Sequence, residues 1–188
     1  LEKLRSITGV FKKNPSQRDS IFWEKSEISI SIGTLNEISG PNGSGKTESI
    51  LQFISKNQDQ IGKVAWIEDY FTVYPISFIH QEICLDQIFF IEAEKTFFWT
   101  ANQILRSQLF GMTVLTFQNS TLQKTKPVIE LRRLQISAEQ SQSYVFLITE
   151  KPLESDMKWP IHTQIYSNPR TRKLEVIKKG KVVKNPEI

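Results

Sequence analysis

One stretch of the chain combines glycines, a lysine and a threonine at a spacing suited to phosphate binding. It reads GPNGSGKT and matches the pattern G-x-x-x-x-G-K-S/T at every position. In such a loop the glycines let backbone N–H groups converge on an anion at the positive end of the following helix. The predicted nucleotide-binding residues are Gly40, Pro41, Asn42, Gly43, Ser44, Gly45, Lys46 and Thr47.

Two side chains of this loop have distinct predicted roles. Lys46 would reach the β- and γ-phosphates, and the Thr47 hydroxyl would ligate Mg²⁺, which is otherwise held by phosphate oxygens and water. The pattern therefore predicts ATP and Mg²⁺ as cofactors. The alternative is a glycine-rich turn that matches the pattern by accident.

Hydrolysis needs further residues, because a P-loop ATPase usually has a carboxylate at the end of a neighbouring buried strand and a group that positions water. The apolar run MTVLTF ends without a carboxylate, whereas VAWI is followed by Glu68 and Asp69. Glu68 is the candidate catalytic base, and the alternative is that this pair begins a solvated loop. The sequence leaves open whether the chain is an enzyme and favours very low turnover.

The elements that would position this loop follow from the apolar pattern. SEISISIGTLNEIS predicts a strand before it and TESILQFISKN a helix after it. Further strands are predicted at VAWIED, DQIFFI, MTVLTF and YVFLIT, with helices over 94–109 and 127–142. HTQIYSNPRTRKLEVIKKGK predicts an antiparallel hairpin. This alternation predicts a three-layer α/β domain with a mainly parallel sheet and a C-terminal hairpin.

The length of 188 residues is enough for one domain with its own hydrophobic core. Apolar residues at helical spacing predict a short amphipathic helix and linker over residues 1–20, a candidate for self-association, and the domain itself over 21–188. No apolar run approaches the ~20 residues that a membrane span needs. We therefore expect a cytoplasmic protein without membrane contact.

The net charge of +4 is concentrated at the two ends of the chain. Residues 170–188 hold seven basic and two acidic side chains. They indicate contact with DNA or an acidic protein partner, or an edge strand protected by lysines against aggregation. The candidate contact residues are Arg170, Arg172, Lys173, Lys178, Lys179 and Lys181.

Two further residues are predicted to be buried by their apolar surroundings. Cys84 lies in ICLDQIFF and has no second cysteine to pair with, and Trp99 lies in the helix pattern FFWTANQIL. Both are predicted to belong to the core and not to a redox or base-stacking site.

With these segments placed, the chain resembles the RecA recombinase core, and more closely the small RecA-related ImuA (SulA-like) proteins of bacterial mutagenesis operons. The resemblance covers roughly 37–179 and includes the P-loop as its specific motif. It is carried by EISGPNGSGKT, VAWIEDYFTVYP, DQIFFIEAEKTFFWTANQILRSQLFGMTVLTF, ELRRLQISAEQSQSYVFLIT and RKLEVIKKGK, in that order.

The departures from recombinases fall on catalytic positions. Thr116 stands where recombinases carry a strand-end Asp, Tyr70 where they carry the water-activating Glu, and Glu150 where they carry a nucleotide-sensing Gln. The resemblance therefore implies an ATP-binding accessory protein of the SOS response to DNA damage, with weak or absent hydrolysis. Its implied partners are a recombinase, an error-prone polymerase or DNA.

Two alternatives remain open. One is an active RecA-like or ABC-like ATPase in DNA repair. Against it, the chain has no LSGGQ-like signature, and no predicted strand ends in Asp followed directly by Glu. The other is a non-catalytic interaction module with a vestigial P-loop. Measurements of ATP binding and turnover separate these alternatives.

Overall fold

The structure, a computed structural model, describes residues 20–116, 127–153 and 160–178. The predicted N-terminal helix lies outside these ranges, as do Lys179 and Lys181 of the predicted basic contact. Within the described ranges, no helix is long and apolar enough to cross a membrane.

A seven-stranded mixed sheet forms the centre of the domain. The strands of the described residues are β1 (Ser20–Trp23), β2 (Ile28–Ser31), β3 (Leu35–Ser39), β4 (Val64–Glu68), β5 (Ile88–Glu92), β6 (Met112–Thr116), β7 (Tyr144–Thr149), β8 (Thr163–Ser167) and β9 (Leu174–Lys178). Their order in the sheet is β5-β4-β6-β7-β3-β8-β9. All neighbours pair in parallel except β8 and β9, which form the predicted antiparallel hairpin.

Helices cover both faces of this sheet. They are α1 (Lys46–Ile61), α2 (Ile76–His80), α3 (Phe97–Ser107) and α4 (Pro127–Ser141). One core cluster joins α1 and α2 to alternate strand residues such as Trp66, and a second joins α3 and α4 to the intervening ones such as Ala65. Since successive strand residues point to opposite faces, the two clusters lie on opposite sides of the sheet. The α/β prediction is confirmed, and the arrangement is compatible with three layers.

The strand predicted over 26–39 is two strands in different sheets. β1 and β2 form a separate antiparallel pair, and Gly33, at φ +72°, lies in the turn between β2 and β3. Trp23 of this pair packs against Phe53 of α1 and Phe146 of β7, with ring centroids 5.2 and 5.6 Å apart. The alternation of apolar residues continues through the turn, so periodicity alone does not reveal the break.

The prediction that Cys84 and Trp99 are buried was wrong. Cys84 is exposed, because it precedes a short 3-10 turn and not the strand itself. Trp99 is 66% exposed, because α3 buries Phe97, Phe98 and its later apolar residues while Trp99 faces outward. For both residues, the apolar neighbours in the sequence did not determine whether the side chain faces the core or the solvent.

Candidate nucleotide-binding site

The glycine-rich loop, residues 40–47, joins the end of β3 to the start of α1, as the sequence predicts. Gly43 and Gly45 have φ of +78° and +86°, in the left-handed region that favours glycine. The Ser44 amide donates to the Pro41 carbonyl at 3.1 Å and closes a tight bend. The glycines at these positions therefore serve the backbone shape that the motif requires.

Lys46 is the first residue of α1 and is only 9% exposed. Its Nζ donates to the Gly40 carbonyl at 2.5 Å, so the cation lies against the loop itself. Burial lowers the pKa of Lys46, and the charge of the nearby Glu150 partly offsets that effect. A phosphate oxygen would offer this desolvated ammonium a charge-assisted hydrogen bond, which is stronger than its bond to a neutral carbonyl.

Two further features of the loop fit a bound phosphate. The Ser44 hydroxyl oxygen is buried and has no hydrogen-bond partner. The N-terminus of α1 has no side-chain cap, so its first-turn N–H groups lack that partner. The first-turn N–H groups are donors that a phosphate oxygen satisfies, at the end of the helix that favours negative charge, and the Ser44 hydroxyl lies packed beside Gly40 within the same loop. The residues present therefore fit the phosphates of a nucleotide.

A further feature of the candidate site is the position that would hold Mg²⁺. Thr47, the second residue of α1, is half-buried beside the loop. Among the described residues, no group of three or more His, Cys, Asp or Glu could hold a metal ion. A nucleotide's Mg²⁺ would be held here by Thr47, phosphate oxygens and water, which is a common arrangement for this ion.

Glu150 is the carboxylate that the structure brings to the loop. It directly follows β7, the strand beside β3, and its Oε1 accepts a hydrogen bond from Asn42 Nδ2 at 3.4 Å. In the sequence, Glu150 stands where recombinases carry a glutamine, and it is not among the predicted site residues. Its position right after the buried run YVFLIT was the available signal.

Glu68, the candidate base, is already occupied by local hydrogen bonds. It is 1% exposed, and its oxygens accept bonds from the Trp66 indole at 3.1 Å, from the Thr72 amide and hydroxyl, and from the Val73 amide at 3.1 Å. A carboxylate with its lone pairs filled in this way holds the chain after β4 in place. The geometry therefore supports a structural role for Glu68.

The sheet order also separates Glu68 from the loop. β6 and β7 lie between β4 and β3, which corresponds to about 14 Å at the usual strand spacing. Tyr70, at the position of the recombinase base, donates its hydroxyl proton to Glu94 Oε1 at 3.2 Å, and this bond raises the pKa of Tyr70. The phenol is therefore a poor proton acceptor at neutral pH.

Thr116 ends β6, the strand next to β7. Its hydroxyl oxygen is buried without a hydrogen-bond partner, and its carbonyl accepts from the Asp69 amide at 3.3 Å. The strand that would carry a metal-linked carboxylate thus ends in a neutral side chain. This placement agrees with the departure identified in the sequence.

Beneath the loop lies a buried carboxylate that the sequence did not single out. Glu37 of β3 is fully buried, and it accepts hydrogen bonds from Thr149 Oγ1 at 2.8 Å, the Leu153 amide at 2.9 Å and Gln164 Nε2 at 2.7 Å. These partners belong to β7, the chain that follows it, and β8. Glu37 thereby ties β3 to both of its neighbours in the sheet, β7 and β8.

The predicted basic contact residues are divided by the hairpin. Arg170, Arg172 and Lys173 lie in the exposed turn between β8 and β9, and Lys178 ends β9. The three turn residues are thus brought to the carboxyl end of β8, beside the loop, whereas Lys178 lies at the other end of the hairpin.

Comparison with known proteins adds nothing to this geometry. The chain matches no protein-family model and no curated protein sequence. The assignment of a candidate nucleotide-binding site therefore depends on the geometry of the loop itself.

Proposed function

We propose that this domain binds ATP with Mg²⁺ through residues 40–47. The observation that carries the proposal is a nearly buried Lys46, held against the Gly40 carbonyl of a glycine-rich bend, at the uncapped N-terminus of α1. Lys46 and the first-turn N–H groups gain hydrogen bonds when a phosphate enters, and the helix N-terminus adds favourable electrostatics. Thr47 would hold Mg²⁺, which shields the phosphate charge when bound.

We also propose that hydrolysis is weak or absent. Thr116 cannot supply a negative charge to help hold Mg²⁺, and the oxygens of Glu68 are engaged by the chain after β4. Glu150 follows the strand beside β3 and contacts the loop through Asn42. Its position beside the phosphate end makes it a better candidate than Glu68 for influencing the metal or water.

The cellular role follows from the resemblance to RecA-related mutagenesis proteins. We propose a cytoplasmic accessory protein of DNA-damage tolerance that acts with a recombinase or an error-prone polymerase, or on DNA through its basic hairpin. Nucleotide binding would then stabilise one conformation of the protein, and that conformation would make the contacts with the partner.

The binding proposal is tested by calorimetric titration of the protein with Mg-ATP and by the Lys46→Ala variant. Loss of a charge-assisted contact is worth about 1.5–3 kcal/mol, so we expect affinity to fall about 10- to 150-fold. Tight binding that survives Lys46→Ala would place the nucleotide elsewhere.

A turnover assay separates the remaining alternatives. Binding with steady-state hydrolysis well below about 1 per second supports the accessory role. Hydrolysis at or above that rate indicates an active ATPase, and failure to bind ATP at all indicates an interaction module with a vestigial loop.

A further inference from the structure

The turn between β8 and β9 lies directly beside the phosphate loop. β8 runs parallel to β3, so the turn and the loop leave the same edge of the sheet. Ser167, the last residue of β8, donates from its Oγ to the Ser44 carbonyl at 2.7 Å. A Cβ atom added at Gly40 would lie only 2.7 Å from the Ser167 carbonyl oxygen, so the two segments are in close contact.

The turn is held in a defined shape by Asn168. Its side-chain Oδ1 accepts hydrogen bonds from the Arg170 amide at 3.0 Å and the Thr171 amide at 3.4 Å. The Arg172 amide donates to the Asn168 carbonyl at 2.8 Å, and the Asn168 amide donates to the Lys173 carbonyl at 3.0 Å. Side chains on such a turn lose little further backbone entropy when they meet a ligand.

The turn presents positive charge that the described residues leave uncompensated. Arg170, Arg172 and Lys173 are exposed, and none of them forms an ion pair with a described carboxylate. The nearby Glu175 accepts a hydrogen bond from Asn168 Nδ2 at 2.8 Å. The turn with these three cations thus follows β8 on one side of β3, while Glu150 follows β7 on the other side.

We infer that this basic turn, residues 168–173, binds the phosphates of the nucleotide held by the loop of the same chain. The inference rests on the proposed function, since it requires a nucleotide at residues 40–47. Ser167 contacts both ends of the bend, and Arg170 and Arg172 follow it by three and five residues in a turn that leaves the same edge of the sheet as the loop. A nucleotide triphosphate is the polyanion that this placement brings nearest, whereas DNA would have to approach the same edge from outside.

The test compares two double variants that remove the same charge. Arg170→Gln/Arg172→Gln changes the turn, and Lys63→Gln/Arg106→Gln changes exposed residues at the opposite, amino-terminal edge of the sheet. Mg-ATP and inorganic triphosphate are titrated into each protein by calorimetry. We expect the turn variant to bind both ligands at least about tenfold more weakly and the matched control to stay within about twofold of the wild type.

Each outcome has a fixed meaning. If the wild type binds Mg-ATP, Lys46→Ala weakens that binding as expected and the turn variant binds like the wild type, the inference fails while the proposed function stands. If the wild type does not bind, both fail. Weaker binding of ATP with unchanged binding of triphosphate would assign the turn to the base or ribose and overturn the phosphate contact.

DNA is the competing partner for the same charges. Fluorescence anisotropy with a labelled single-stranded oligonucleotide, without nucleotide, measures it on the same proteins. Loss of DNA affinity in the turn variant together with unchanged nucleotide affinity would overturn the inference. If the double variant melts early, Lys173→Gln, at an exposed position of the same turn, provides the measurement, with an expected loss of about threefold or more for both ligands.

Discussion

Replacing Gly40 by alanine tests whether close contact with β8 keeps the phosphate loop in shape. The added Cβ would lie 2.7 Å from both the Ser167 carbonyl oxygen and Ser44 Oγ, and the φ of Gly40, +154°, is one that L residues rarely adopt. Backbone strain costs about 1–3 kcal/mol, and displacing packed neighbours costs a similar amount. We expect the free energy of unfolding to fall by about 2–5 kcal/mol, with loss of ATP affinity.

Gly43→Ala is the matched control in the same loop. Gly43 also has a positive φ, +78°, but an added Cβ would meet no heavy atom within 4 Å. Only the left-handed backbone penalty of about 1–2 kcal/mol applies there. The difference between the two variants therefore measures the crowding at Gly40, by Ser167 of β8 and by Ser44, beyond the general cost of removing a glycine.

Urea unfolding followed by tryptophan fluorescence provides the comparison, because Trp23 and Trp66 are buried at 4% and 0% exposure. Calorimetry on the same samples gives the ATP affinity. We expect Gly40→Ala to be less stable than Gly43→Ala by about 1–3 kcal/mol. Equal stability of the two variants would refute the claim that Ser167 and Gly40 are locked together.

Two other predictions concern titratable groups of the loop and of the chain after β4. Because burial lowers the pKa of Lys46 and a bound phosphate raises it again, ATP binding should take up protons, increasingly so as the pH rises from 7 toward the ordinary lysine value of about 10.4. Binding enthalpies measured in buffers of different ionisation enthalpy give the number of protons taken up. Lys46→Arg should remove this proton uptake. No proton uptake at any pH would contradict the lowered pKa of Lys46. Glu68→Ala should lower the free energy of unfolding by at least about 2 kcal/mol, since it leaves the Trp66 and Val73 N–H groups without their acceptor. If Glu68→Gln instead abolishes turnover with an unchanged melting temperature, Glu68 is a base after all.

Much of the fold could be read from local patterns. The strand, glycine-rich loop and helix around residues 40–47 occur where the sequence predicts them, because their signals are short-range: alternation, glycine positions and helical periodicity. The later helices and the C-terminal hairpin follow for the same reason. The β1–β2 pair and the outward orientation of Trp99 could not be predicted from such patterns. Both depend on which other element covers the segment.

The same distinction between local and long-range signals applies to the residues of the candidate site. Glu68 and Glu150 look alike in sequence, because each follows a buried apolar run. Only the order β5-β4-β6-β7-β3-β8-β9 decides that Glu150 lies beside the loop and Glu68 three strands away. Strand order arises from packing between segments far apart in the chain, and no local pattern encodes it. Local patterns thus predict the glycine-rich loop between a strand and a helix, whereas packing between distant segments places Glu150 and the turn after Ser167 next to it.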